Sequence, residues 1–399
     1  MTGEDLDVII IGAGAAGLAA AAALGRAGHS ALVLEGRDRI GGRIWTRSEP
    51  GLPVPVELGA EFIHGSSPET FALLRQAGAA AAATSGEHWS LIDGRLQRRT
   101  ESLLGKVRAA FEADEVLSKP DVSLENFLEN GAGRTLPEEA RAMARAFVSG
   151  FDAADPRLVS LHSVAEEWRS GGMLDSLQSR PSGGYRTVLT ALSAALDCNR
   201  VHLQLQTVVN AVRWSGQSVE VEGRRLGQPY RAAARKAIIT VPLAMLKAPA
   251  DAPGAISFVP PLRSKQAALT RLLSGPVLKV VLQFRRPFWE AQDGGRYADA
   301  SFFQAPGKVF PTFWTAFPVR APLINAWVGG PSAARLCELS QEEIFRQAMD
   351  CIGAVFPGAD VESELRSAYL HNWSRDPFAR DAYSYVAAGG GQAREMLAA

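Results

Sequence analysis

The chain has 399 residues, enough for two domains with substantial cores, and its 42 basic residues balance 42 acidic ones to a formal net charge of zero. This balance provides no positive field for nucleic acid or an anionic membrane, and three scattered cysteines predict neither a metal site nor a disulfide framework. An apolar strand that begins near residue 7 leaves no room for a signal peptide, and no apolar run reaches the ~18 residues of a membrane span, so we expect a cytoplasmic protein.

The N-terminal residues predict a strand, a glycine-rich turn, a helix and a second strand that ends in an acid. In such a unit the first glycine permits a tight turn, the second lets the backbone approach a pyrophosphate, and the third packs helix against strand. The helix N-terminus directs N–H groups at the phosphates, and the acid accepts hydrogen bonds from ribose hydroxyls. The residues predicted to bind a dinucleotide here are Gly12, Gly14, Ala15, Ala16, Gly17, Glu35, Gly36 and Arg37.

The segment that follows indicates which dinucleotide is bound. Residues 39–43 read RIGGR, and this segment resembles the second phosphate-contacting loop of the flavin amine oxidase superfamily. That superfamily includes monoamine oxidases, polyamine oxidases, L-amino-acid oxidases and flavin-dependent histone demethylases. The resemblance implies FAD as the cofactor, with Gly42 beside it and Arg39 and Arg43 at its phosphates. Ordinary surface charge is the alternative reading of the two arginines.

Further along the chain, the pattern predicts mostly helices over residues 66–200 and mostly strands afterwards. The predicted helices begin near Ser67 and Leu136, span 163–169 and 188–196, and include 341–356 with Ser340 as its cap. The predicted strands cover 201–205, 208–214, 218–222, 237–241, 277–284, 313–317 and 324–328.

The resemblance implies a mixed α/β fold with two domains. A Rossmann-type FAD-binding domain would comprise residues 1–75, 181–250 and 360–399. An inserted substrate domain, a β-sheet flanked by helices, would comprise residues 76–180 and 251–359. Within the FAD domain, the backbone near Val209 would touch the adenine, which is compatible with Val209 being an ordinary core residue of a strand.

Lys279 lies inside the apolar segment VLKVVLQFRRPFW, where an ammonium without a partner is costly to bury. Alternation along a half-buried strand would also allow this side chain to face outward. The segment is similar to a K-V-x-L-x-F-x-x-x-F-W pattern of flavin amine oxidases, whose lysine bonds a water that bridges to flavin N5. The resemblance implies that Lys279 assists flavin reduction or reoxidation and is catalytic.

Two aromatic residues lie in a second segment, HNWSRDPFARDAYSY, which resembles the family pattern W-x-x-D-P-x-x-x-G-x-Y. The resemblance implies that Tyr383 forms one wall of an aromatic cage at the flavin and that Trp373 packs near the isoalloxazine edge. Both would then belong to the catalytic site, and Trp373 to the cofactor site as well. An ordinary aromatic core is the alternative for both. Ala382 occupies the place of the flavin-linking cysteine of monoamine oxidases, which implies non-covalent FAD.

A third segment, ELGAEFIHG, is similar to the L-G-A-x-x-I-H-G stretch of animal polyamine and spermine oxidases. The resemblance implies that Gly59, Ala60 and Glu61 lie against the cofactor and that His64 lies near the substrate amine. A neutral imidazole accepts a proton from an ammonium and would make His64 catalytic. The alternative is a histidine that caps the nearby helix start.

The charged residues around this segment bear on the substrate. L-amino-acid oxidases carry a carboxylate-binding arginine in this neighbourhood, whereas no arginine occurs here between Arg47 and Arg75. This absence argues against an amino-acid substrate, although an arginine from elsewhere in the chain could substitute. Glu61 and Glu87 are candidate anchors for additional ammonium groups, and solvated surface acids are the commoner interpretation.

The family pattern continues with a C-terminal segment that contains an F-A-G-E-x-T motif and contacts the flavin, whereas this sequence ends at Ala399 without that segment. A truncated or cleaved chain, a separate subunit, and a homologue that no longer turns over are three competing explanations. A homodimer, or a second chain that supplies the segment, is therefore an open partner.

These observations predict an FAD-dependent amine oxidase that forms an imine and reduces O2 to H2O2. The substrate is expected to be a small amine, and His64 favours a polyamine. No long charged heptad run is present, so the histone demethylase branch is not expected. The alternatives are another FAD oxidoreductase of this fold, such as an L-amino-acid oxidase, a desaturase or a porphyrinogen oxidase, and a catalytically incomplete FAD-binding homologue.

Overall fold

A computed structural model describes residues 6–98, 114–169 and 178–398. One part of the fold is built on a four-stranded parallel sheet. Its strands are Val8–Ile11, Ala31–Leu34, Val201–Gln204 and Lys236–Ile239, in the spatial order 236–239, 8–11, 31–34, 201–204. The first two strands are buried at every position, as expected for apolar strands covered on both faces. The helix Ala15–Arg26 packs beside them and against the helix Arg186–Ala194.

A second, mixed sheet of four strands continues from this parallel sheet. Its strands, in spatial order, are Gln228–Ala234, Val219–Arg225, Thr207–Trp214 and Ser257–Val259. The antiparallel pair formed by the second and third of these strands has a register shift between Val209 and Ala211.

The other main part of the fold is a seven-stranded mixed sheet. Its strands, in spatial order, are Leu365–Leu370, Val277–Phe284, Leu323–Gly329, Thr312–Thr315, Ala300–Gln304, Glu87–Ile92 and Arg95–Arg98. A core rich in phenylalanine and tryptophan packs between this sheet and the helix Gln341–Val355. That helix begins with a capping box, in which Ser340 and Glu343 satisfy each other's backbone N–H groups.

The remaining elements connect these sheets. Three two-stranded pairs join Thr46–Arg47 with Val56–Glu57, Ala81–Ala83 with Ser179–Pro181, and Leu272–Gly275 with Tyr383–Val386. The other helices are Pro68–Gln76, Asp114–Ser118, Leu124–Asn130, Glu138–Phe151, Leu161–Arg169, Leu243–Leu246, Gln266–Arg271, Gly330–Cys337, Val361–Glu364 and Ala393–Ala398, with 3-10 turns at Ala132–Thr135, Arg263–Lys265 and Phe288–Gly294. Within the described ranges, no helix is both long enough and apolar enough to cross a bilayer.

The mixed α/β class and the strand Val277–Phe284 are confirmed. The prediction of mostly helix over residues 66–200 is wrong for strands at 81–83, 87–92, 95–98 and 179–181. Partners far away in sequence hold the strands at 81–83, 87–92 and 179–181, and the strand at 95–98 pairs with its neighbour at 87–92. The strand Leu365–Leu370 joins the seven-stranded sheet although its residues fall within the predicted FAD domain. The domain boundaries stay a prediction.

Candidate functional site

A cavity of about 360 Å³ lies where the parallel strands end. Ile11, Leu34 and Thr240 line it, and each of them lies at or just beyond the carboxyl end of a parallel strand. Ligands of open α/β sheets bind at this edge. The second sheet closes another side of the cavity with the backbone segment 207–209.

Two glycine-rich loops form the cavity wall and are joined to each other. The Gly41 N–H donates to the Ala13 carbonyl at 2.8 Å. Gly12 and Gly41 have φ of +108° and +100°, which only glycine adopts without strain. Gly17 allows the helix to pack closely, because a Cβ there would lie 1.9 Å from the Gly12 carbonyl oxygen.

Gly14 differs from these packing glycines. A Cβ at Gly14 would meet no atom within 4 Å, and the helix that starts at Ala15 follows directly. The loop therefore leaves open space in front of a helix N-terminus, which is the arrangement that receives a pyrophosphate. On this observation the residues present fit the dinucleotide part of FAD.

Glu35 is buried at the cavity and ties its two loops together. Its carboxylate accepts hydrogen bonds from the Ala13 N–H at 2.8 Å and from the Arg37 N–H at 2.9 Å. The Arg37 guanidinium forms an ion pair with Asp376 and lies 5.3 Å from the centre of the Phe378 ring. Segment 376–379 is thereby attached to the cavity.

Most of the predicted cofactor residues line this cavity. They are Gly12, Gly14, Ala15, Ala16, Glu35, Gly36, Arg37, Gly42, Arg43, Ala60 and Val209. Gly17, Gly59, Glu61 and Trp373 are not among the lining residues. Arg39, expected at the phosphates, instead lies 4.4 Å from the Trp45 ring and donates to the carbonyls of Ile40 and Ile44.

Sequence reasoning missed several lining residues. They are Thr207, Val208, Thr240, Val241, Pro242, Met245, Gly254, Ile256, Phe378 and Ala379. The end of the strand Lys236–Ile239 carried a usable signal, because carboxyl ends of neighbouring parallel strands share one edge of the sheet. No local pattern marks the segment 254–256.

Lys279 is buried, with 6% of its surface exposed, in a strand that is buried at every position. Its ammonium donates to the Gly59 carbonyl at 2.7 Å and to the Glu61 carboxylate at 3.2 Å. The alternative of an outward-facing lysine is therefore wrong, and the partner that burial demands is present. Gly59 also fits closely, because a Cβ there would lie 1.8 Å from the Arg43 carbonyl oxygen.

Glu61 is shared among several donors. Its other carboxylate oxygen accepts from the Arg180 Nε at 2.8 Å and the Trp314 Nε1 at 2.9 Å. Burial by itself would raise the pKa of Glu61, but Lys279 and Arg180 outweigh burial and lower it. Glu61 is therefore an ionised carboxylate between two cations. We call Lys279, Glu61, Arg180 and Trp314 the charged cluster.

A second buried carboxyl lies near this cluster. Glu57 accepts hydrogen bonds from the Tyr185 N–H at 2.6 Å and the Thr46 hydroxyl at 2.8 Å. Burial raises the pKa of Glu57 to about 7, against the opposing effect of Lys279 and the two hydrogen bonds. Glu87, the other candidate anchor, instead pairs with Arg98 at 3.1 Å.

His64 and Tyr383, two of the other predicted catalytic residues, are linked by ring contacts through Phe62, Trp314 and Trp327, and we call these five residues the aromatic wall. His64 packs edge-on against Phe151 at 4.9 Å, and it makes no side-chain hydrogen bond to a described residue, so the capping alternative is not observed. Its surroundings desolvate the ring and lower the pKa of His64, although part of the ring stays exposed. Tyr383 is 42% exposed and lies 6.2 Å from Trp327, measured between ring centres.

Trp373 holds the chain next to this wall. Its indole N–H donates to the Leu58 carbonyl at 2.9 Å, and its ring packs against Trp45 and His371. It is 4% exposed, so it supports the segment that carries Gly59 from within the core. Among the described residues, no group of His, Cys, Asp and Glu could hold a metal ion.

Comparisons with known proteins agree with this geometry. The sequence profile of the family described as flavin containing amine oxidoreductase matches residues 15–396. Lysine-specific histone demethylase 2 of Homo sapiens is 30% identical over 98% of this chain and 48% of its own length. Probable polyamine oxidase 4 of Arabidopsis thaliana is 29% identical over 96% of this chain and 77% of its own length. The chain spans about half the length of the histone demethylases.

Solved structures share the fold. Wild-type putrescine oxidase bound to putrescine superposes with a TM-score of 0.79 at 24% identity, over 98% of this chain and 89% of that chain. Cyclohexylamine oxidase from Brevibacterium oxydans superposes with a TM-score of 0.77 at 22% identity, over 98% and 89% of the two chains.

Proposed function

The chain belongs to the flavin-containing amine oxidoreductase family, and from this premise we propose that it is an FAD-dependent amine oxidase. It would convert an amine to an imine, which water hydrolyses to a carbonyl product. Dioxygen would be the electron acceptor and hydrogen peroxide its product. We propose a small amine as the substrate, and polyamines are the preferred candidates.

One observation carries this proposal: a single loop joins the cavity to the charged cluster. Ala60 lines the cavity, while its neighbours Gly59 and Glu61 both accept hydrogen bonds from the Lys279 ammonium. A buried cation is therefore fixed next to the cofactor cavity, where desolvation strengthens its electrostatic effect.

The residues of the cavity would hold FAD without a covalent bond. Glu35 would face the ribose, the N-terminus of the helix at Ala15 would face the phosphates, and Val209 the adenine. Ala382, next to Tyr383, offers no nucleophile for a flavin link. The chemistry that FAD supplies when bound is acceptance of a hydride equivalent from the α carbon and return of the electrons to dioxygen.

The remaining groups prepare the amine. His64 is a proton acceptor for the substrate ammonium, because its lowered pKa favours the neutral imidazole at neutral pH. Tyr383 and Trp327 would orient the amine against their faces and exclude water. Lys279 keeps one ammonium N–H beyond the two used by Gly59 and Glu61, and this N–H would hold a water.

A second candidate substrate follows from the histone demethylase relatives, namely a peptide with N-methylated lysine. Their identity to this chain is close to that of the polyamine oxidases. The polyamine oxidase match covers 77% of that relative's length, whereas the demethylase match covers 48% of its own, and this difference favours the small amine.

The test uses full-length chain loaded with FAD under anaerobic conditions. We expect spermine or putrescine to bleach the flavin absorbance, and a dimethyl-lysine peptide to act at least about tenfold more slowly. Lys279→Met should still bind FAD but slow flavin reduction or reoxidation at least about tenfold. Lys247→Met is the matched control, because Lys247 also donates to a carbonyl, that of Leu272, but lies outside the charged cluster.

The outcomes separate the candidates. Faster bleaching by the peptide would replace the polyamine assignment with a demethylase one. Bound flavin that stays oxidised with every amine would overturn the oxidase proposal. A Lys279→Met variant with unchanged rates would remove Lys279 from the mechanism.

A further inference from the structure

We propose that Glu61 is a positioning residue, which, together with Arg180, fixes the orientation and protonated state of Lys279. The inference rests on the proposed function of the cavity, and it gives Glu61 a role different from cofactor contact or substrate anchoring. Glu61 is not among the residues that line the cavity, and both of its carboxylate oxygens already accept hydrogen bonds from the protein.

The ammonium of Lys279 has two fixed acceptors. An ammonium has three N–H donors, and two of those of Lys279 are directed at the Gly59 carbonyl and at Glu61. Only 6% of the residue is exposed, so few water molecules can compete as acceptors for these N–H groups. The two acceptors therefore determine where the third N–H points.

Glu61 is itself held by donors other than Lys279. Its Oε1 accepts from Arg180 and Trp314, so Oε2 is the oxygen left for Lys279. Arg180 is itself fixed, because its two terminal nitrogens donate to the carbonyls of Phe317 and Thr315 at 3.0 and 2.9 Å. The carboxylate is thus clamped from the side opposite to the lysine.

Glu61 and Arg180 carry opposite charges and therefore act oppositely on Lys279. Glu61 is the only carboxylate hydrogen-bonded to Lys279 within the described residues, while Arg180 is a second cation on the same carboxylate. Removing Glu61 would leave the ammonium with a neutral carbonyl and a like charge, so Lys279 would lose its proton more readily. Removing Arg180 would leave Glu61 less compensated, so Lys279 would keep its proton to higher pH. The two changes act with opposite signs.

Two other ionisable groups influence this cluster. Glu57 titrates near pH 7 and acts on Lys279 through space. Loss of hydration raises the pKa of Tyr383 to about 12, and the charge of Glu61 contributes to that rise. Both are present in wild type and in every variant, so differences between variants report on the altered side chain.

The experiment follows the lysine directly in full-length chain labelled with ¹³Cε-lysine. Lys279→Met identifies the Lys279 signal among the seven lysines of the sequence. We expect Glu61→Gln to move the titration midpoint of that signal to lower pH and Arg180→Met to move it to higher pH. Glu87→Gln, which removes a carboxylate paired with Arg98 on another strand, should leave it in place.

A kinetic measurement accompanies the titration. In FAD-loaded protein, Glu61→Gln should slow amine-driven flavin reduction about tenfold or more, but less than about twofold in a Lys279→Met background, since the group it positions is absent there. A purely structural defect would lower the rates in both backgrounds and would move the midpoint in the same direction in both variants.

The outcomes are distinct from those of the oxidase test. If wild type is not reduced by any amine, the proposed function fails, while the titration still decides the role of Glu61. If wild type is reduced but the Lys279 midpoint does not respond to Glu61→Gln, the positioning role is overturned and the oxidase stands. If Glu61→Gln does not fold, Arg180→Met tests the proposal alone. A Lys279 titration midpoint that moves to lower pH in Arg180→Met would then overturn the proposal.

Discussion

The cofactor cavity and the charged cluster are adjacent, and they are built by opposite means. Backbone of glycine-rich loops and strand ends forms much of the cavity, and many of its residues fall within 11–44. The charged cluster is made by side chains alone, from four segments whose members are Glu61, Arg180, Lys279 and Trp314.

This difference determines what each region tolerates. A cavity made of backbone is sensitive to any side chain placed where a glycine leaves space. A cluster of buried charges is sensitive to the loss of one partner, because the remaining charge stays buried without compensation. The loop of Gly59, Ala60 and Glu61 belongs to both regions and couples them.

The strongest test of the cavity is Gly14→Val. The apo fold has space for the new side chain, whereas a dinucleotide in the cavity would clash with it. We expect FAD affinity to fall about a hundredfold or more, equivalent to about 3 kcal/mol, with an unchanged melting temperature of the apoprotein. Flavin absorbance after gel filtration and titration calorimetry would measure the loss.

A matched control distinguishes blocking from unfolding. A Cβ at Gly216 would likewise meet no atom within 4 Å, and this glycine lies outside the cavity, so Gly216→Val should bind FAD normally. A Gly14→Val protein that binds FAD as tightly as wild type would show that the cofactor does not pass this loop.

A smaller effect is expected from Glu35→Ala, which tests how the two loops are joined. The change leaves the N–H groups of Ala13 and Arg37 without their acceptor. We expect the apoprotein to lose about 2–3 kcal/mol of unfolding free energy and FAD affinity to drop about tenfold. Urea unfolding would measure the first effect, with Glu49→Ala, a partner of Arg47, as the surface control. Equal stability of Glu35→Ala and wild type would contradict the loop-joining role.

The same contrast explains how much could be predicted from sequence. The glycine pattern and Glu35 are local, because the glycines and the partners of the Glu35 carboxylate all lie within one short stretch, and most of the predicted cavity residues are found there. The strand Val277–Phe284 could likewise be predicted from its run of apolar residues. Lys279 was recognisable as unusual for the same reason, since a charge in an apolar strand demands a partner.

The pairing of Lys279 with Glu61 could not be predicted. Glu61 lies 218 positions from Lys279. Arg180, which holds Glu61, lies 119 positions from Glu61 on a short strand within a region whose pattern predicts helices. No periodicity connects these residues. The paired strands at 81–83 and 179–181, together with the antiparallel bridge between Ile63 and Ser179, bring Arg180 into place. Arg39 is the complementary case: its motif is local, its guanidinium packs on Trp45, and its contact with a phosphate stays a prediction.

Stability against pH tests the electrostatics beside the cluster. Burial raises the pKa of Glu57 from an ordinary 4.5 to about 7, so the folded chain holds this proton more tightly than the unfolded chain. The stabilisation is present below about pH 4.5 and is lost as the pH rises towards 7, by up to about 3 kcal/mol. Glu57→Gln should abolish this loss. The difference in unfolding free energy between the variant and wild type should therefore change by about 2 kcal/mol in favour of the variant when the pH is raised from about 5 to about 8. Parallel pH profiles of the two proteins would contradict the raised pKa.

The smallest effect is expected from Trp373→Phe. This substitution tests whether Trp373 contacts the cofactor or supports the loop of Gly59 from the core. The structure places its indole in the core, bonded to the Leu58 carbonyl and outside the cavity lining, although the resemblance predicts contact with the flavin. Support of the loop from behind predicts a loss of about 1–2 kcal/mol in unfolding free energy, with the FAD content retained. Trp289→Phe, in the core of the seven-stranded sheet, is the control for loss of buried aromatic volume. Loss of flavin at an unchanged melting temperature would instead assign Trp373 to the cofactor site, because the side chain would then contact FAD and not only support the loop from the core.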